Sequence, residues 1–214
     1  MRAALFDLDG TLVHSAPDIQ AAANSVLAAE GLAPLSLAEA TSFIGGGAAI
    51  FVERMAAARL PAADPARTRA MLAAFLDIYE GAVGRTQPYP GAVAALEALS
   101  RSGWALGLVT NKPEGPARAL LTHLDLMRFF PVIVGGDSLP QRKPDPAPLR
   151  HAIASLGAGA PVFVGDSEID AATAQAAGVP FALFTEGYRH SPPEALPHAF
   201  AFSEFSALTG WLTR

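Results

Sequence analysis

Five short apolar runs set the pattern of this chain: Arg2–Leu8, Trp104–Thr110, Val132–Val134, Pro161–Gly165 and Phe181–Phe184. Each reads as a short buried strand, and a helical pattern precedes each of the later four. Ala92–Ser102 carries Val93, Leu96 and Leu99 on one face and stops at Gly103. Gly115–Leu124 carries Leu120, Leu121 and Leu124, Asp145–Leu156 carries Leu149, Ile153 and Leu156, and Ile169–Ala177 stops at Gly178. Apolar strands alternating with helices form a parallel sheet covered on both faces. The expected fold is therefore α/β, a Rossmann-like parallel sheet core. Right-handed crossovers bring all strand C-termini to one edge, where open sheets of this kind bind ligands.

The stretch from Ser15 to Val83 breaks this rhythm, because it is helical throughout. Ser15 with Asp18 reads as a capping box ahead of Ile19, Ala22, Ala23, Val26 and Leu27, with Gly31 as the stop. Ser36 with Glu39 repeats the capping signal, and Asp64–Pro65 opens a helix carrying Met71, Leu72, Phe75, Leu76 and Tyr79. The expectation is an all-helical domain, residues 15–83, inserted into a discontinuous catalytic core of residues 1–14 and 84–214. The turn-rich Thr86–Gly91 returns the chain to the core. Two connections at one hinge make a lid.

Charge narrows the partners. The net charge is −5, and no basic run or aromatic-interleaved basic patch occurs, so nucleic acid is not an expected partner. No apolar stretch approaches the length of a membrane span. The absence of cysteine and of a signal-peptide layout fits a cytoplasmic protein. An acidic chain that binds an anion must supply positive charge locally, through a metal, a few cations or helix N-termini. Of 15 basic residues, 13 are Arg, which leaves Lys112 and Lys143 (15 − 13 = 2). A compact ammonium and a broad guanidinium are not interchangeable beside a small anion. The histidines show no metal-ligand spacing.

The strand tips carry the chemistry. Asp7 and Asp9 follow the first strand two residues apart, so their carboxylates leave the sheet edge on one face. Such a pair is costly unless a cation sits between them or one is protonated. Gly10 permits the sharp exit. Thr110 and Asn111 end the second strand with a hydroxyl and amides that suit phosphoryl oxygens, or cap the next helix. Lys143 is presented between Arg142 and the stiff Pro144–Asp145–Pro146. Asp166 leaves the fourth strand with Ser167 beside it, and Asp170 lies one helical turn on. Hard oxygen ligands of this kind suit Mg²⁺.

Together, Asp7-x-Asp9-Gly-Thr, Thr110-Asn111, Lys143-Pro-Asp-Pro and Gly165-Asp166-x-x-x-Asp170 resemble the four motifs of the haloacid dehalogenase-like hydrolases, and the helical insert sits where that superfamily carries a helical cap. Asp7–Ile19, Gly45–Arg54 and, more loosely, Phe184–Arg189 are similar to the phosphoglycolate phosphatases of that superfamily. The resemblance implies a Mg²⁺-dependent phosphatase of a small phosphorylated metabolite, most closely 2-phosphoglycolate, working as a monomer or homodimer. It implies Asp7 as nucleophile, Asp9 as acid/base, and Lys143 and Thr110 as phosphoryl clamps. The metal would be held by Asp7, the Asp9 carbonyl and Asp166, supported by Asp170 and Ser167. Gly45, Gly46, Asn111 and Arg54 would meet the substrate. A sugar phosphate or another small ester is the alternative. A dehalogenase would not need Asp9, and sugar-phosphate mutases of this family place a histidine near Ile19. A phospho-accepting receiver domain would need no lid, and a silent binding protein would have lost Asp7 or Asp9.

Overall fold

The computed structural model describes residues 2–214. Six parallel strands form one sheet in the order β5-β4-β1-β6-β7-β8: β1 (Arg2–Phe6), β4 (Ala105–Val109), β5 (Val132–Val134), β6 (Ala160–Gly165), β7 (Phe181–Phe184) and β8 (Phe200–Phe202). Helices α5 (Ala92–Arg101), α6 (Glu114–His123), α7 (Ala147–Leu156), α8 (Glu168–Ala177) and α9 (Phe205–Leu212) accompany it. The alternation of strand and helix supports the α/β reading, and the five expected strands are all present. The sixth, β8, and the helix α9 were not expected.

The sheet is covered on both faces, as its apolar strands require. Ala4, Phe6, Leu106 and Leu108 join α5, α6 and α9 in one cluster. Ala3, Leu5, Val109 and Phe163 join α7 and α8 in another. Because successive side chains alternate, β1 feeds both layers and sits at the centre of the sheet. The residues just past its end therefore emerge mid-edge.

Between β1 and the rest of the core lie α1 (Ala16–Ala29), α2 (Leu37–Phe43), α3 (Ala48–Arg59) and α4 (Pro65–Tyr79). They close around their own buried cluster, centred on Leu27, Val52, Met55, Met71 and Phe75. Each of those side chains contributes about 1.5–3 kcal/mol by leaving water. Ser36 and Glu39 form the expected capping box at α2.

Ser15 and Asp18 do not. Ser15 makes no side-chain capping bond. Asp18 turns instead to the connection that returns to the core, where its carboxylate accepts from Arg85 N (2.9 Å), Thr86 N (2.8 Å) and Thr86 Oγ1 (2.7 Å). Three donors at a buried carboxylate outcompete one N-terminal amide. This clasp lies beside a two-stranded antiparallel ribbon, β2 (Val13–His14) with β3 (Gln87–Pro88), where the two connections run side by side. Asp18→Ala is expected to cost about 2–3 kcal/mol by orphaning those amides. The melting temperature should fall by roughly 5–10 °C. An unchanged melt would mean that the ribbon holds without the clasp.

Candidate active site

Four strand tips converge as expected. Asp7 continues the sheet ladder, its N–H donating to Val164 O (2.9 Å). Asp7 and Asp9 border the same two cavities. Lys143, only 3% exposed, sets its ammonium between Asp7 Oδ1 (2.8 Å) and Asp170 Oδ1 (2.7 Å). Asp166 and Asp170 are buried beside them, and one carboxylate oxygen from each of Asp7, Asp166 and Asp170 falls within a 4.8 Å cluster.

Backbone shape permits that crowding. Gly10 has φ +88°, and a Cβ there would lie 2.5 Å from Asp166 Oδ2. Only glycine allows the chain past this point. Asp166 is then locked: Thr11 Oγ1 donates to Oδ1 (2.6 Å) and Tyr188 N donates to Oδ2 (2.6 Å). Ser167 and Asp170 form a capping box at α8, so Asp170 Oδ2 accepts from Ser167 Oγ (2.6 Å) while Oδ1 serves Lys143. Asp170 therefore acts on Lys143 and the loop.

Electrostatics follow from burial. Desolvation pushes the Asp7 carboxyl up to about 7, with Lys143 opposing and Asp170 and Asp9 adding to the rise. Burial, then Asp170 and Asp7, hold Asp166 well above the usual carboxylate range. Burial pulls Lys143 down, but Asp170 and Asp7 outweigh it and hold the ammonium above its ordinary value.

These residues fit a divalent cation. Four carboxylates (Asp7, Asp9, Asp166, Asp170) against two ammoniums (Lys112, Lys143) leave a formal charge of −2 (2 − 4) in a largely buried site. The donors are all hard oxygens, the set that Mg²⁺ takes. Without a cation, the folded chain binds a proton at Asp7 more tightly than the unfolded chain does. The stability that Asp7 contributes to the metal-free protein should therefore be lost as pH rises from 3.8 to about 7. Added Mg²⁺ should raise the melting temperature more at about pH 8 than at about pH 5.5. Equal shifts at both would detach the ion from Asp7.

Thr110 and Asn111 also reach the site. Thr110 Oγ1 accepts from Lys112 N (3.2 Å) at the cavity wall. Asn111 is a strut: its Nδ2 donates to Gly45 O (3.0 Å) in the helical segment and to Lys143 O (3.0 Å) in the core. Gly45 borders both cavities. Gly46 borders neither and lies against Ile50, whereas Gly47 lines the inner cavity. A Cβ on Gly47 would sit 2.9 Å from Asn111 O, which is why the segment needs glycine where it meets the core. Arg54 is exposed, borders the outer cavity with Asp166, and donates from Nη1 to Phe43 O (3.1 Å).

The sequence reading missed three site residues. Thr11 and Tyr188 hold Asp166, although Thr11 stood inside the first motif. Lys112 was noticed for its rarity and given no role. It is 6% exposed, its Nζ donates to Tyr79 Oη, and it lies 3.6 Å from Asp9 Oδ1. Burial lowers the Lys112 ammonium against the pull of Asp9.

Comparison with known proteins agrees with this geometry. A relative from Cereibacter sphaeroides named phosphoglycolate phosphatase is 53% identical over 215 residues, covering 100% of this chain and 99% of its own. One from Rhodospirillum rubrum with the same name is 48% identical, covering 99% and 90%. A crystal structure from Haemophilus somnus 129pt, called a predicted phosphoglycolate phosphatase, superposes with a TM-score of 0.93 at 30% identity, covering 99% and 97%. The family model described as haloacid dehalogenase-like hydrolase matches residues 4–184. With its acidic pair, its buried lysine and its second acidic pair at adjoining strand tips, the chain belongs to the haloacid dehalogenase-like hydrolases.

Proposed function

We propose that this phosphoric monoester hydrolase cleaves 2-phosphoglycolate through an aspartyl-phosphate on Asp7. The observation that carries the reading is the placement of Asp7. It is the carboxylate that shares both cavities with Asp9 and is also paired to Lys143. The substrate is proposed from the names of the full-length relatives.

Lys143 holds Asp7 Oδ1, which leaves Oδ2 to attack phosphorus. A bond forms from Oδ2 to phosphorus as the bond to the leaving oxygen breaks, and Asp9 gives that oxygen its proton. Asp9 then takes a proton from water, the water oxygen bonds to phosphorus, and the link to Asp7 breaks to free phosphate and restore the carboxylate. Lys143 and Thr110 hold the phosphoryl oxygens while charge shifts. Asp7, the Asp9 carbonyl and Asp166 would hold Mg²⁺, which supplies neutralising charge between two anions when bound. Asp170 keeps Lys143 in place.

The helical segment, residues 15–83, serves as the cap that shuts out bulk water, and we place the enzyme in the cytoplasm. No helix of the described residues is long and apolar enough to cross a membrane. Ile19 lines the inner cavity, so an apolar side chain stands where a mutase would need a proton carrier. Phosphate release from a panel of small esters, with and without chelator, tests the whole reading. The highest kcat/KM should fall to 2-phosphoglycolate and vanish with chelator. A sugar phosphate in first place would replace the substrate, and no release from any ester would remove the activity.

A further inference from the structure

We propose that Lys112 recognises a carboxylate on the leaving group, so that the inner cavity selects very short phosphate esters carrying a second negative charge. The inference rests on the phosphatase reading and names what the same site selects.

Lys112 has no task in the chemistry above. Its ammonium is buried, donates to Tyr79 Oη, and lies 3.8 Å from the centre of the Tyr79 ring. Its nearest carboxylate oxygen, Asp9 Oδ1 at 3.6 Å, is beyond hydrogen-bond length. An ammonium carries three protons; here one goes to Tyr79 Oη and the Asp9 carboxylate stands only at ion-pair distance, so a buried cation is left with donor capacity for a further anion. A ligand anion in the cavity would meet that need.

Position says which end of the ligand this is. Asp9 hands its proton to the leaving oxygen, and Lys112 lies next to Asp9 on the inner wall. The atoms one or two bonds beyond the leaving oxygen therefore come to Lys112. Phe51, Phe75 and Ile19 also line this cavity, and their side chains offer no polar atoms. Water centres can occupy only about 40 Å³ of this space. One water needs roughly 10–15 Å³ by the same measure, so the free space is that of about three or four waters, which favours a short leaving group. Arg54, the candidate from sequence, borders the outer cavity beside Asp166 and Glu168 instead.

The test compares wild type, Lys112→Met and Arg54→Ala on 2-phosphoglycolate and ethyl phosphate, two-carbon esters that differ by the carboxylate. Wild type should prefer 2-phosphoglycolate. Lys112→Met should shrink the ratio of the two kcat/KM values by roughly 10–100-fold, the worth of a charge-assisted hydrogen bond, and Arg54→Ala should keep it. Equal losses on both esters would mean that Lys112 acts only through Asp9 or Tyr79, and would overturn the proposal. So would collapse of the ratio in Arg54→Ala alone. Wild type supplies a test that needs no folded variant: kcat/KM should run 2-phosphoglycolate, ethyl phosphate, then the cationic 2-aminoethyl phosphate. Equal rates on all three would overturn the carboxylate inference and leave the phosphatase standing, whereas no release from any would remove both.

Discussion

Asp7→Asn should lower the rate of phosphate release by on the order of 10⁴–10⁶-fold, the scale seen when a nucleophile is removed from an otherwise intact site. The amide keeps the volume of the carboxylate but offers no anionic oxygen to phosphorus. The fold should survive, because the replacement removes a charge that burial already disfavours. At about pH 8 without metal the variant should melt at or above the wild-type temperature, since its folded state no longer carries a desolvated carboxylate there. Single-turnover phosphate release and a melt at two pH values read both effects. Activity within tenfold of wild type would refute the nucleophile assignment, and a collapsed melt would show that Asp7 is needed for folding.

The same burial explains how much of the molecule could be read from its sequence. The core was legible where a strand's apolar run ends directly in its working residue. Asp7, Thr110 and Asp166 each lie within one or two residues of a strand end, so strand and chemistry are adjacent in the chain. Lys143 was legible because rigid prolines, Pro144 and Pro146, follow a residue type that is rare in this chain. Residues that work through distant partners were not. Tyr79, at the end of α4, reaches Lys112 in the loop before α6, 33 positions away. Tyr188 reaches Asp166 through its backbone N–H, which no side-chain pattern records. Asp18 showed only a local capping partner in the sequence, and that role lost to a clasp 68 residues away. The strand β8 (Phe-Ala-Phe) is as short as β5 but lacks the β-branched Val-Ile-Val run that marks β5.

Lys143→Met is expected to damage stability as well as turnover. In the wild type one ammonium neutralises two carboxylates, at 2.8 Å from Asp7 and 2.7 Å from Asp170. Methionine fills most of the volume and leaves both acids buried without a cation. Breaking a buried pair from one side costs about 3–5 kcal/mol, which should lower the melting temperature by roughly 6–20 °C. The sign with pH is fixed. Asp7, already pushed up by burial, loses the cation that opposed the rise and binds its proton more tightly in the folded state, so the variant should be least stable above neutral pH and recover toward about pH 5. Mg²⁺ should restore part of the loss above neutral pH, because a divalent cation at Asp7 and Asp166 offsets the missing charge. Turnover should fall by on the order of 10²–10³-fold even where the protein is folded, the scale of losing one preorganised group at the developing charge. Lys143→Arg should not rescue it, since a planar fork needs more room than the 3% exposed pocket gives a point charge. A Met variant equally stable at about pH 5 and pH 8 would show that Asp7 and Asp170 do not depend on this ammonium, and the electrostatic account of the site would fail with it.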